Sequence, residues 1–135
     1  MIIPQITCCL ICDGVRQETQ NKYIILGFFG ATPHVEIFVR DFKLTVPLCF
    51  LFLGTQSEGH LRLELSVKGP SGQLVANSIA PFEADMRPNI QATLLIFYFS
   101  GVFPGPGKYQ VSAMINGMEH YPTSFTLSQA APAAV

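Results

Sequence analysis

At 135 residues the chain amounts to one domain, long enough to bury a core without a metal or disulfide staple. Charged residues make up 13% of it, about half the usual share, against 49% hydrophobic, so a surplus of apolar surface has to find cover. The net charge of −1, with no cluster of Lys or Arg, argues against a phosphate-tracking surface and so against nucleic acid as a partner.

The opening MIIPQITCCLICDG has no basic leader, is interrupted by Pro4 and reaches charge at Asp13, which makes a poor secretory signal. No run approaches the roughly 18 to 20 apolar residues of a membrane helix. A cytoplasmic protein with no membrane partner is expected. Three of the four cysteines, Cys8, Cys9 and Cys12, crowd into one apolar segment, with Cys49 apart. A disulfide framework would spread them, so they are expected as reduced, buried thiols.

In chain order, residues 6–12 form a β-rich run ending at Asp13-Gly14, and residues 23–29 form the next. With VRQETQNK as the connection, the two are expected to pair as a long-looped hairpin. Residues 34–40 alternate, with His34, Glu36, Phe38 and Arg40 outward and Val35, Ile37 and Val39 inward. Residues 44–53 are apolar on both parities, and Pro47 breaks the ladder in their first half, which marks an edge, an entry or a bulge. Residues 60–68 alternate most cleanly, Leu61, Leu63, Leu65 and Val67 inward and His60, Arg62, Glu64, Ser66 and Lys68 outward, so this strand faces water on one side. Gly69-Pro70-Ser71-Gly72 turns it back into 73–79. Residues 80–89, with two prolines and three charges, read as a crossing loop.

In 90–100, Gln91 and Thr93 set an outward parity that continues, unless a bulge intervenes, into Leu95, Phe97 and Phe99. The corner GVFPGPGKY must stop pairing, because Pro104 and Pro106 cannot donate to a ladder. Tyr109, just past it, sits where immunoglobulin-like sandwiches place a buried corner tyrosine. Asn116-Gly117 is a primed-turn signal, so 108–116 and 118–127 should pair antiparallel. One domain over 1–128 and a disordered tail over 129–135 are expected.

The segments CDGVRQE, NKYIILGFFG, LCFLFLG, GPSG and PGKYQVSAMING together resemble an uncharacterised bacterial family of single-domain proteins of about this length. The resemblance covers nearly the whole chain except the tail. It implies an all-β fold, an immunoglobulin-like antiparallel β-sandwich with an extra N-terminal hairpin, and carries over no activity, cofactor or catalytic residue. The chain departs from the family pattern in having Gln20-Asn21-Lys22 in place of an Asn-Gly-Lys turn. It also has no Trp and no pair of Cys on separated strands like the immunoglobulin disulfide. By this analogy 44–53 and 90–100 neighbour each other in one sheet, and 60–68, 108–116 and 118–127 form the other. The outer face of the first sheet, with Cys49, Leu51, Leu53, Leu95, Phe97 and Phe99 as interface candidates, then needs cover from the N-terminal hairpin or a second subunit.

No set of residues declares a chemistry. Cys9-x-x-Cys12 would diverge on a strand, and Cys8 and Cys12 lie about 13 Å apart, so neither pair suits a metal or a disulfide. His34-x-Glu36 lacks the downstream cysteine pair of a nucleobase deaminase. His60, Arg62 and Glu64, and likewise Glu83 and Asp85, read as solvated surface. His120, near Tyr121-Pro122, is expected in a loop at one mouth of the sandwich, and Ser71 reads as part of a simple turn. The leading expectation is a non-catalytic interaction or structural module, a homodimer without metal or cofactor. The alternative is a small-ligand-binding sandwich with a pocket between the sheets or beneath the hairpin. An enzyme would require two or three of His34, His60, His120, Glu83, Asp85 and Arg87 to converge in one cleft.

Overall fold

The computed structural model describes residues 6–27, 35–43, 45–54, 58–75, 81–86 and 93–130. His34, Leu44, residues 76–79, Arg87, Gln91 and residues 131–135 of the expected tail lie outside them. Ten strands run through the described residues: β1 (Ile6–Cys12), β2 (Gly14–Gln17), β3 (Tyr23–Leu26), β4 (Val35–Val39), β5 (Val46–Gly54), β6 (Gly59–Lys68), β7 (Phe82–Met86), β8 (Thr93–Gly101), β9 (Gly107–Ile115) and β10 (Met118–Gln129). They form a three-stranded sheet β1-β5-β8, a five-stranded sheet β4-β10-β9-β6-β7 and the two-stranded hairpin β2-β3. The fold is all-β, and the two larger sheets share one core.

That core follows from alternation. On β6 the inward Leu61, Leu63, Leu65 and Val67 are buried, while His60 and Arg62 are exposed. On β9, Tyr109, Val111, Ala113 and Ile115 are buried, and on β4 Val35, Ile37 and Val39 are. Facing them, the three-stranded sheet contributes Ile11, Leu48, Phe50, Phe52, Phe97 and Phe99. Aromatic rings bridge the layers: Phe50 lies 6.5 Å from Phe125 of β10, and Phe97 meets Phe82 of β7 edge-on at 6.1 Å. Edge-to-face pairs of this kind add about 0.5–1.5 kcal/mol each beyond the area they bury.

The closing strands follow the expected scheme. β9 and β10 pair antiparallel around Asn116-Gly117, whose φ values of 48° and 85° are the positive pair a primed turn requires. Tyr109 is fully buried, and its hydroxyl donates to the carbonyl of Gly105 within the corner. The strand neighbours 44–53 and 90–100 are β5 and β8, antiparallel in one sheet. Pro47 lies on β5 beyond the reach of β1, whose pairing ends at Cys49, so its missing N–H costs no bond to β1.

Five expectations are corrected. β1 does not pair with the second segment but with β5, Ile11 opposite Phe50 and Cys12 opposite Cys49. The hairpin instead joins β2, inside the expected connection, to β3. The sandwich is not wholly antiparallel, since β4 runs parallel to β10. Residues 82–86, expected as loop, form edge strand β7, where Pro81 falls just outside the ladder and Phe82 and Met86 pack on the core. The parity of β8 is opposite to that expected: Phe97 and Phe99 point into the core and Tyr98 outward. Burying two phenylalanine rings between the sheets outweighs whatever a polar residue at the strand entry prefers.

Candidate interaction site at the N-terminal hairpin

β1 leaves the sheet at Cys12, and the chain turns at once into the hairpin. The amide of Asp13 donates to the carbonyls of Leu26 and Gly27 at 2.9 and 3.2 Å, which closes its base. Gly27 has φ 61°, and a β-carbon there would run into the Asp13 carboxyl, so the base tolerates only glycine. At the tip, the amide of Glu18 donates to the carbonyl of Lys22 at 2.7 Å across a short 3-10 turn, Thr19–Asn21.

The hairpin is tied to the three-stranded sheet by Tyr98. Its hydroxyl donates to the carbonyl of Val15 at 2.9 Å and accepts from the amide of Val15 at 3.2 Å. β2 also contacts β5. The outer face of the sheet beside this tie carries the row Cys12–Cys49–Tyr98 and, one step along, Leu10–Leu51–Ile96. Cys49 and Leu51 are buried within the chain itself.

The sequence-predicted interface residues therefore do not form one surface. Cys49 and Leu51 are covered on the outer face, Phe97 and Phe99 lie in the core, and Leu95 is half-buried against that core. Of the six, Leu53 at 37% is the one that reaches solvent appreciably. Besides scattered exposed residues such as Phe38, Leu74 and Met118, the one run of consecutive uncovered apolar side chains among the described residues is on the hairpin. Tyr23, Ile24, Ile25 and Leu26 are each 39–48% exposed, and Tyr98 at their root is 63% exposed. Both faces of β3 are thus open, although its sequence is as apolar as a core strand. Sequence reasoning had the run YIILGFF as a strand. It placed the apolar excess on β5 and β8, because 44–53 is apolar on both parities and the outer face of 90–100 turns apolar along its length.

The remaining candidates fall in three places. Cys9 packs inward on the core and Cys12 outward against Cys49, so Cys9-x-x-Cys12 diverges. His60 on β6 meets Asp85 at 2.9 Å through Nδ1 and Glu83 at 3.3 Å through Nε2, with Arg62 also on Glu83 at 3.2 Å. Those hydrogen bonds raise the pKa of His60 and lower that of Glu83. Reading 80–89 as a loop hid this cluster, since only a paired β7 brings Glu83 and Asp85 beside His60. It lies on an exposed sheet face. His120 stands apart on β10, opposite Ala113. Among the described residues no group of three or more His, Cys, Asp or Glu could hold a metal. An open cleft of about 370 Å³ runs beside β4 and the start of β5, with Asp13, Arg40 and Asp41 in its walls. No helix among the described residues is long and apolar enough to cross a membrane.

The profile of a family of unknown function, DUF6941, matches residues 7–128. No curated protein matches the chain.

Proposed function

We propose that this chain, which belongs to the DUF6941 family, is a non-catalytic interaction domain that pairs with a second copy of itself through the apolar β2–β3 hairpin. The observation that carries this reading is the exposure of all four residues of β3. A two-stranded hairpin is marginal in water without something packed on it. This one is held at its base and at Tyr98, while its apolar strand stays uncovered.

The size of the patch sets the strength. β3 and Tyr98 together expose on the order of 500 Å², so a symmetric pair would bury ~1,000 Å², near the lower limit for a specific interface. A weak, concentration-dependent dimer follows. Two features support reading the sandwich as immunoglobulin-like: the Tyr109 hydroxyl bonded back to Gly105, and the two face-to-face sheets. The free thiols of Cys12 and Cys49 suit a reducing, cytoplasmic compartment.

Light scattering across a dilution series tests the proposal. The wild-type chain should move from dimer to monomer as concentration falls through the micromolar range, and Ile24→Glu should be monomeric throughout, with the thermal stability of wild type at dilutions where both are monomers. A wild-type chain that stays monomeric up to about 100 μM overturns it.

A further inference from the structure

We infer that Cys12 and Cys49 are a latent disulfide site, closed by oxidation when the N-terminal hairpin lifts, which locks edge strand β1 to β5. The inference does not depend on self-association.

The two residues are direct partners on neighbouring antiparallel strands. Opposed residues on such a pair have Cα atoms about 4.5 or 5.5 Å apart and side chains on the same face. Both spacings fall within the roughly 4.4–6.8 Å that a disulfide spans. The Cys12 thiol already reaches across the ladder, donating to the Cys49 carbonyl at 3.7 Å. Cys9, three residues earlier, points to the core and cannot compete from the same face.

The closed structure keeps the pair unreactive. Both residues are fully buried, and burial, then the neighbouring Cys12, pushes the Cys49 thiol up to about 12. A thiol must ionise to attack, so little happens while the site is dry. The cover is conditional, however. Cys12 is the last residue of β1, and the hairpin that follows is pinned three residues later by Tyr98, which is itself the register partner of Cys49 on the other side. Releasing that pin lets water and an oxidant reach the row.

The oxidant is a low-molecular-weight disulfide such as oxidised glutathione. The Cys12 thiolate attacks one sulfur, forming a mixed disulfide and expelling one glutathione thiolate. The Cys49 thiolate then attacks the Cys12 sulfur, forming the Cys12–Cys49 bond and expelling the second. Two protein thiols lose two electrons and two protons in all, and one glutathione disulfide becomes two glutathione thiols. β1 is an edge strand held by β5 alone in its sheet, so the bond prevents it from peeling away.

The test incubates the full chain with oxidised glutathione, quenches with acid and an alkylating agent, and maps disulfides by mass spectrometry. The expected product is a chain lighter by two hydrogen atoms, with Cys12 and Cys49 in one linked peptide. Its rate should rise roughly fivefold in Tyr98→Phe, which removes the pin. Reaction that stops at glutathionylated Cys12, links Cys8 or Cys9 instead, or leaves both thiols free in Tyr98→Phe overturns the inference. The mapping is made on wild type and Tyr98→Phe, so it needs no cysteine variant to fold.

Discussion

The hydroxyl of Tyr98 and the backbone of Val15 exchange two hydrogen bonds, one donated at 2.9 Å and one accepted at 3.2 Å. A side chain on the last strand of one sheet thereby fixes a segment 83 residues earlier in the chain. Tyr98→Phe removes both bonds without changing the ring. Amide exchange in 14–17 and 23–26 should then quicken roughly five- to tenfold, as expected for about 1 kcal/mol of lost local stability, while β6 and β9 amides keep their protection.

Tyr109→Phe should act on the whole fold. Tyr109 is fully buried, stacked on Phe125 at 5.7 Å and edge-on to Phe103 at 5.0 Å, and its hydroxyl satisfies the Gly105 carbonyl. Losing the hydroxyl alone should cost about 1–2 kcal/mol, read in urea as a lower midpoint with an unchanged slope. Tyr109→Ala, which also empties the ring site, should cost about 3–5 kcal/mol.

Asn116 does more than turn the β9–β10 hairpin. Its side chain accepts from the amide of Arg62 at 2.7 Å and donates to the carbonyl of His60 at 3.1 Å, joining the turn to the start of β6. Asn116→Ala gives up both bonds and the side chain best suited to φ 48°, for a loss of about 2–3 kcal/mol. Gly117→Ala meets no neighbour but is strained at φ 85°, and should cost about 1 kcal/mol. Urea titration of the two variants should rank them in that order.

Glu119 and His60 give stability opposite dependences on pH. Hydrogen bonds from Lys68, then Ser112 and Tyr121, hold the Glu119 carboxyl down at about 2, against 4.5 for a free one. Its contribution is therefore present above pH 4.5 and is lost as pH falls toward 2. The Asp85 and Glu83 hydrogen bonds raise His60 above 6.5, so its contribution is complete below 6.5 and is lost as pH rises through the folded value. Melting temperature against pH should fall less steeply between pH 4.5 and 2 in Glu119→Gln than in wild type. His60→Gln should flatten the curve only above pH 6.5. Both groups are exposed, so each effect should shrink in high salt.

The strands that keep one face in water were legible from sequence. Leu61 to Val67, Val35 to Val39 and Tyr109 to Ile115 alternate, and a period of two leaves one choice of face. The corner and the Asn116-Gly117 turn were legible from local turn chemistry, whereas the pairing of β5 with β8 followed only from the family resemblance. Where both parities are apolar the sequence is silent about direction. On β8, Leu95, Phe97 and Phe99 compete with Ile96 and Tyr98 for the interior, and only the opposing layer decides. The parallel partner of β4 and the partner of β1 are long-range choices that no local pattern encodes. The exposed hairpin was missed for the same reason: YIIL looks like a core strand until β1 is seen to pair elsewhere.

The hairpin's role in self-association is tested most directly by isotope-filtered NMR on a mixture of methyl-labelled and unlabelled chains. The account predicts intermolecular contacts at the methyls of Ile24, Ile25 and Leu26 that fade on dilution, with none at core methyls such as Leu63 or Val111. Intermolecular contacts elsewhere on the surface, with the β3 methyls unchanged between dimer and monomer, would contradict it.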